Sequence, residues 1–335
     1  MQNIKRKVWL GLGLLVVAVF LLLFFEFYIP NLGRKTKEIT YIIESGIGNR
    51  EIAEDLEKQG IIKNTLFFRL YAAGSGQYGK LQAGKSVLSS DMSIATIVNV
   101  LASGDVITHT VTIIEGWNLK QIASYVEKEE FYSSKEFLAA GKRDFSQQFS
   151  FLKDKPRSLN LEGYIFPDTY KVHPEDSADV LVQKALNNFD KKLTPELRTE
   201  ITRQNKSIFK IVTMASILEK EARSPEDKKV ISGILWKRLK AGMALQVDST
   251  VNFVTGKSDA KATIKDTKID SPYNTYMYVG LPLGPISSPG IDSLLAAIYP
   301  KESPYWYYLA ADGTGETIFS KTLAEHAAAI DKYFR

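Results

Sequence analysis

Residues 208–222 read IFKIVTMASILEKEA, and this stretch decides how the C-terminal half of the chain folds. Apolar residues occupy nearly every side of the helix that it predicts, and helices that are apolar all round are usually buried. The sequence Ser-Pro-Glu-Asp follows at 224–227, with serine as N-cap, proline in the first turn and aspartate at the reciprocal capping position. The stretch therefore predicts a buried central helix and then a second, capped helix that Gly242 stops.

Two glutamates, Glu219 and Glu221, stand at the end of the apolar helix. At about 100° per residue their side chains point ~200° apart, so both cannot face one cleft. Desolvation by an apolar wall raises the pKa of a carboxyl group, which suits a general acid acting on a glycosidic oxygen. A solvated helix end is the structural alternative. Periodicity alone does not say which glutamate faces a site.

The N-terminus carries a second strong signal, an uninterrupted apolar run of 18 residues that begins at Val8. As a helix it spans ~27 Å, enough to cross the hydrocarbon core of a bilayer. Three basic residues at 5–7 precede it and predict a cytoplasmic N-terminus. A cleaved signal peptide is the alternative, but no small-residue cleavage site follows. We expect a cytoplasmic tail at 1–7 and an uncleaved transmembrane helix at 8–28.

Composition excludes several classes of function. The 335 residues carry a net charge of +5, of which the first 27 residues account for +2. The remainder is nearly neutral and has no long basic stripe, so we expect no nucleic-acid partner. The absence of cysteine from the sequence excludes disulfides, thiol nucleophiles and thiolate zinc sites. The three histidines are scattered, and we therefore expect neither a metal nor another cofactor.

The rest of the chain predicts an α+β fold with a small and a large part. Residues 29–38 form a polar linker, and residues 39–106 predict the order strand, helix, helix, strand, helix. This order resembles a LysM module, which grips glycans that contain N-acetylglucosamine, but the order is common among small folds. Residues 107–335 predict a larger, mixed α/β domain.

One familiar phosphate motif is present out of context. Residues 79–86, GKLQAGKS, fit the P-loop pattern. A P-loop follows a strand and opens a helix, whereas this stretch follows a predicted helix and continues as a strand. We therefore expect no nucleotide site, and carboxylate and hydroxyl chemistry remains.

Three loops rich in glycine, proline, tyrosine and asparagine offer binding groups, at 162–170, 245–251 and 271–290. Aromatic faces stack on the apolar faces of sugars, and amides and hydroxyls pair with sugar hydroxyls. Ordinary turn building explains the same residues equally well.

Together these pieces resemble the endolytic murein transglycosylases of the MltG type, also called the YceG-like family. The matching pieces, in the family's order, are EGYIFPDTY, ASILEKEA, LQVDSTV, SPYNTY, GLPLGPISSPG and the terminal Phe319-Ser320 with Glu325-His326. The N-terminal anchor and the LysM-like segment match as well. The resemblance covers nearly the whole chain after the anchor.

The resemblance implies a lyase that cuts peptidoglycan strands internally, between N-acetylmuramic acid and N-acetylglucosamine, and leaves 1,6-anhydromuramyl ends. The second glutamate of the family's Glu-Lys-Glu element carries over to Glu221 as the single acid and base. Six further positions match cleft motifs and are expected to position saccharides or orient Glu221: Glu162, Gln246, Asp248, Tyr273, Asn274 and Tyr276. Ser249 stands where the family often has proline, which we take to affect loop details only.

The resemblance also implies a place and partners. The catalytic part would lie on the outer side of the bacterial inner membrane, where it trims or terminates nascent strands during cell-wall synthesis, beside penicillin-binding proteins. A non-catalytic peptidoglycan-binding scaffold is one alternative, and it would not depend on Glu221. A hydrolytic muramidase is another, with a product heavier by one water.

Overall fold

The chain divides into two compact units. An N-terminal unit comprises residues 1–109 with 173–175, and a C-terminal unit comprises residues 110–172 with 176–335. The computed structural model describes residues 2–30, 38–44, 46–103, 108–174, 176–257, 261–311 and 316–333. The predicted boundary between residues 106 and 107 and most of the predicted linker lie outside the described residues.

The N-terminal unit begins with helix α1 (Gln2–Tyr28). The last 18 residues of this helix, Gly11–Tyr28, are apolar enough to cross a membrane, and none of this window is buried in the protein. The predicted apolar helix is therefore confirmed by its length and composition.

The rest of the N-terminal unit has the predicted order of elements. They are β1 (Glu38–Ile43), α2 (Asn49–Lys58), α3 (Thr65–Gly74), β2 (Gly84–Ser89) and α4 (Ile94–Ser103). The two strands pair antiparallel, with Ile39 opposite Leu88. Helices and sheet share one apolar core that includes Leu56, Phe68 and Leu88. The P-loop-like motif leads into strand β2 instead of opening a helix, which confirms that its context is wrong for phosphate binding.

After the N-terminal unit, the described residues form nine α-helices and four short strands. They are β3 (His109–Thr112), α5 (Leu119–Lys128), α6 (Ser134–Ala140), β4 (Thr169–Val172), α7 (Ala178–Lys192), α8 (Pro195–Arg203), α9 (Ile208–Glu221), α10 (Pro225–Lys240), α11 (Asp248–Thr255), α12 (Ile291–Ile298), β5 (Tyr307–Ala310), β6 (Thr317–Ser320) and α13 (Leu323–Tyr333). Strand β3 pairs with β4, and β5 pairs antiparallel with β6. The mixed α and β class is confirmed.

Helix α9 is the centre of the C-terminal unit, as its sequence predicts. Residues 211–218 are all buried, and the helix packs against α8, α10, α11 and α12. The buried hydroxyl of Ser216 donates to the carbonyl of Thr213 at 2.8 Å and accepts the backbone N–H of Ile286 at 3.0 Å. The long loop before α12 is thereby fixed to α9, because buried polar groups are stable only when paired.

Helices α5 and α10 begin with side-chain caps, and the one at Ser224 was predicted from the sequence. Ser224 accepts the N–H of Asp227 at the start of α10, and Asn118 forms a reciprocal capping box with Gln121 at the start of α5. Helix α10 ends at Lys240, two residues before Gly242, as predicted.

One predicted loop is wrong in part. The stretch 245–251 was expected to be irregular, but helix α11 begins at Asp248. Thr250 and Val251 are β-branched, which lowers helix propensity. Both are buried, and tertiary packing outweighs a propensity difference of a few tenths of a kcal/mol.

Candidate active site

A cleft of about 1200 Å³ opens in the C-terminal unit at the end of α9. Its walls come from the end of α9, the start of α11, the turn before α5, strand β5 and helix α13. Sites for small ligands commonly measure ~300–1,000 Å³. The lining combines aromatic rings, amides, hydroxyls and charged groups. Its size and lining therefore suit an extended, hydroxyl-rich ligand.

Glu221 ends helix α9 and presents its carboxylate to this cleft. One oxygen, Oε1, accepts a hydrogen bond from Oγ of Ser249 at 2.8 Å, and Oε2 accepts one from Oη of Tyr308 at 3.0 Å. Burial raises the pKa of Glu221, against the two hydrogen bonds, which favour its charged form; the charge of Asp248 adds to the rise. The site thus holds a carboxyl group that is prepared both to donate and to accept a proton.

Glu219 has a different environment. Its Oε1 lies 3.1 Å from Nζ of Lys228, in an ion pair whose side chains are 8 % and 5 % exposed. Its Oε2 accepts the N–H of Gly290 at 2.9 Å and the hydroxyl of Ser293 at 2.7 Å. Glu219 therefore joins α9 to α10 and to the start of α12. Both of its carboxylate oxygens are engaged by these structural partners. Of the two glutamates, Glu221 is the one that lines the cleft.

Asp248 and Tyr276 lie together on the cleft wall. The hydroxyl of Tyr276 donates to Oδ1 of Asp248 at 2.6 Å. Burial, and then this hydrogen bond, raise the pKa of Tyr276. Tyr276 therefore remains a neutral donor, and it holds the Asp248 carboxylate in one orientation at the start of α11.

Gln246 reaches the cleft from a backbone position that is rare for its type. Its φ is +54°, in the left-handed region, and its N–H donates to the carbonyl of Thr275 at 3.0 Å. Such conformations cost of order 1–3 kcal/mol and persist where surrounding structure enforces them. The strain is consistent with a side chain that is aimed into a binding site.

Asn274 and Tyr273 lie behind the cleft wall. Asn274 is buried, and its Nδ2 donates to the carbonyls of Thr267 and Ile269 at 3.0 and 2.7 Å. The ring of Tyr273 packs on that of Phe253, with centroids 4.9 Å apart, and Phe253 in turn lines the cleft. These two residues shape and support the wall from behind.

Glu162 is likewise a supporting residue. Both of its carboxylate oxygens accept the backbone N–H of Leu119, at 3.2 and 3.0 Å, at the start of α5. Burial raises the pKa of Glu162 to about 8, although that hydrogen bond lowers it. Asn118 and its neighbours in the turn before α5 line the cleft, so Glu162 steadies this part of the wall.

Of the seven predicted site residues, the structure thus brings four to the cleft: Glu221, Gln246, Asp248 and Tyr276.

Sequence reasoning missed the two residues that touch the Glu221 carboxylate. Ser249 was expected to matter only to a loop, but its hydroxyl hydrogen-bonds to Glu221 because α11 starts one residue earlier. Tyr308 lies on strand β5, 87 positions after Glu221, and no local motif pointed to it. For Ser249, the only sequence signal was that serine stands where the family often has proline. For Tyr308 there was none.

The cleft also contains an aromatic side chain and several cations that the sequence did not single out. Trp117 lies in the turn before α5, where its ring packs on Tyr125 with centroids 5.2 Å apart. Four lysines contribute to the lining, at positions 120, 220, 257 and 261. An indole face together with basic groups suits a glycan that also carries acidic substituents.

The chain is similar to known proteins over most of its length. The model of the YceG-like family matches residues 41–332. An endolytic murein transglycosylase of Bacillus subtilis is 36 % identical over 304 residues, which cover 87 % of this chain and 83 % of that protein. One of Streptococcus pneumoniae strain D39 is 32 % identical over 325 residues, and the match spans 89 % of this chain and 59 % of that longer protein.

A solved structure is similar as well. A yceG-like protein of Listeria monocytogenes is 34 % identical in sequence and superposes with a TM-score of 0.61. The match covers 88 % of this chain and all of that one.

Proposed function

Because this chain belongs to the YceG-like family, we propose that it is a lytic transglycosylase that cuts peptidoglycan glycan strands internally. The bond cleaved is that between N-acetylmuramic acid and N-acetylglucosamine, and the product carries a 1,6-anhydromuramyl end. One observation carries the proposal. Glu221 lines the cleft with a half-buried carboxyl group whose pKa is raised by burial and whose two oxygens each accept a hydrogen bond from a hydroxyl.

In the first step, the protonated carboxyl of Glu221 gives its proton to the glycosidic oxygen, and the bond from that oxygen to C1 of the muramyl ring breaks. The raised pKa keeps part of the enzyme in the protonated form that this step needs. Positive charge develops at C1 as the bond breaks. The carboxylate left behind is stabilised by the hydroxyls of Ser249 and Tyr308.

In the second step, the muramyl C6 hydroxyl attacks C1 and gives its proton to the Glu221 carboxylate. This returns the acid to its starting form, and no water is consumed. A single carboxyl group therefore serves as acid and then as base, unlike the paired carboxylates of hydrolytic glycosidases. The neighbouring Asp248 carboxylate, oriented by Tyr276, stabilises the developing positive charge.

The cleft wall binds the strand on either side of the scissile bond. Gln246 offers an amide that can both donate to and accept from sugar hydroxyls. Trp117 supplies a ring face on which a sugar can stack.

A membrane anchor is part of the proposal. Helix α1 would cross the bacterial inner membrane with its N-terminus in the cytoplasm, supported by its length, its composition and the basic residues at 5–7. The catalytic part would then work outside the membrane on nascent strands, ending them beside penicillin-binding proteins. The strand–helix–helix–strand order of the N-terminal unit supports a LysM-like role in gripping the glycan.

The test is a digest of purified glycan strands by the full chain in detergent micelles, with products identified by mass spectrometry. Wild-type protein is compared with Glu221→Gln, which keeps the shape of the side chain but cannot transfer the proton. The matched control is Glu226→Gln, at an exposed glutamate in the first turn of α10. We expect internal 1,6-anhydro ends from the wild type and the control and none from Glu221→Gln.

Other outcomes would redirect the proposal. Products heavier by one water would make the protein a hydrolytic muramidase. Undiminished cleavage by Glu221→Gln would move the acid to another residue. Strands that bind without being cut by any variant would favour a non-catalytic scaffold.

A further inference from the structure

Helix α3 of the N-terminal unit carries an exposed apolar stripe. Leu66 and Leu70 lie one turn apart and are 56 % and 47 % exposed. The opposite face of the helix is held in the core by Phe68 and Ala72. Scattered exposed leucines are common on proteins and have no special meaning by themselves. These two leucines are notable because of the helix that packs beside α3.

That neighbour is the end of helix α1. The ring of Phe27 packs edge-on against Phe67 and Tyr71 of α3, with centroids 6.4 and 5.3 Å apart. Tyr28 packs against Tyr71 at 5.9 Å. The apolar window of α1 ends at Tyr28, so helix α3 lies at the level where that window ends.

Polar groups mark the same level. Glu26 closes the apolar run of α1, and it lines a small cavity together with Lys63, just before α3. Aromatic residues of the Tyr and Trp type and long cationic side chains are enriched where a membrane meets water. The aromatic contact between α1 and α3, with Lys63 beside it, has the composition of such an interface.

We propose that α3 lies in the headgroup layer of the bilayer that α1 crosses, with Leu66 and Leu70 inserted at the boundary of the acyl chains. The proposal rests on the proposed membrane anchor. Lipid is the occupant that the fold favours, because a helix packed on the end of a membrane span has the lipids around that span as its neighbours. Amphipathic helices that lie in an interface bury their apolar face by ~5–10 Å, which matches a single row of leucines.

The attachment of α3 to the core makes its placement rigid. Asn64 caps the helix by accepting the N–H of Leu66 at 2.7 Å, and the carboxylate of Glu57 on α2 accepts the N–H of Thr65 at 3.1 Å. A helix fixed in this way carries the whole N-terminal unit with it. The unit therefore rests on the membrane surface and is not suspended above it on a free tether.

The chain contains no cysteine, so single cysteines can be labelled without removing any. The test uses the full chain with Leu66→Cys or Leu70→Cys, each carrying an environment-sensitive fluorophore. The protein is reconstituted in vesicles of equal parts phosphatidylcholine and phosphatidylglycerol. Quenching by nitroxides on the acyl chains is compared with quenching by iodide in the water. Leu22→Cys, within the apolar window, reports on the anchor, and Glu51→Cys, at an exposed acid on α2, is the aqueous control.

We expect acyl-chain nitroxides to remove most of the emission at positions 66 and 70, and iodide to quench only position 51. Iodide quenching at 66 and 70 equal to that at 51 would overturn the proposal. Shielding from both quenchers would overturn it too, because a protein partner or a second copy would then cover α3. Failure of the anchor itself is distinguishable, since position 22 would then escape the acyl-chain nitroxides.

Discussion

Replacing Ser249 by alanine should make the Glu221 carboxyl a weaker acid. The Ser249 hydroxyl lies 2.8 Å from Oε1 and favours the charged form of the carboxylate. The substitution removes this donor and leaves the Tyr308 hydroxyl, 3.0 Å from Oε2, in place. Alanine has the highest helix propensity, so the first turn of α11 is preserved. The pKa of Glu221, already raised by burial, should therefore rise further.

The magnitude follows from the kind of bond that is lost. A hydrogen bond to a charged group contributes ~1.5–3 kcal/mol. Glu221 lines an open cleft, so water can replace part of that contribution and about 1.4 kcal/mol remains. Since ~1.36 kcal/mol corresponds to one pH unit, the alkaline limb of kcat/KM should move upward by about one unit. The alkaline limb reflects loss of the proton from this acid in the free enzyme, so a higher pKa moves the limb to higher pH.

The assay is the initial rate of formation of anhydromuramyl ends across pH, at substrate concentrations well below KM. Ser249→Thr is the matched control, since threonine keeps the hydroxyl and should leave the limb where it is. Tyr308→Phe removes the other donor and should move the limb in the same direction as Ser249→Ala. An alkaline limb that stays in place in Ser249→Ala would refute the reasoning, and so would an equal loss of rate at every pH.

Three further predictions concern stability. Glu219→Gln leaves the buried ammonium of Lys228 without its anion and should lower the free energy of unfolding by about 3–5 kcal/mol, measured with a chemical denaturant. Gly233→Ala places a Cβ 2.0 Å from the carbonyl oxygen of Lys301 and should cost about 1–3 kcal/mol, seen as a lower Tm. In the wild type, the free energy of unfolding should fall as pH rises from 4.5 to about 8. The folded Glu162 carboxyl has a pKa of about 8, so it keeps its proton to a higher pH than the same group does in the unfolded chain. Glu162→Gln should lack this fall.

Each of these predictions has a control. Gly141→Ala meets its nearest atom at an ordinary 3.5 Å and should leave Tm nearly unchanged. Glu226→Gln, in an exposed pair, should leave the free energy of unfolding nearly unchanged. A Glu219→Gln protein as stable as Glu226→Gln would show that the Lys228 pair does not hold the helices together. A Glu162→Gln protein with the same pH dependence as the wild type would assign that dependence to another group.

Much of the fold could be predicted because its signals are local. The apolar run of α9 and the Ser-Pro-Glu-Asp cap of α10 each act within a few residues, and each appears where the sequence indicates. Helix α11 was missed because its stability comes from packing against distant parts of the chain: the helix packs on α9, and the buried hydroxyl of Thr250 lies 2.9 Å from that of Thr275.

The site was harder to predict because its contacts are distant in sequence. Helical periodicity separates Glu219 from Glu221 but does not say which faces the cleft; that depends on Lys228 and the start of α12. The Asn274 amide could bind a sugar hydroxyl, yet it donates its hydrogen bonds to backbone carbonyls of its own loop. A side chain that serves a loop and one that serves a substrate are alike in sequence, and only their partners distinguish them.

Tyr308 comes late in the chain, and its position determines when the cleft can form during synthesis. Chains are made from the N-terminus, so Glu221 and Ser249 emerge well before Tyr308 of strand β5, which lies 87 residues beyond Glu221. A nascent or truncated chain that stops before residue 307 has neither the second donor to its acid nor that wall of the cleft. The cleft described above is therefore complete only after strand β5 and helix α13 have been made, and both follow Glu221 and Ser249 in the chain.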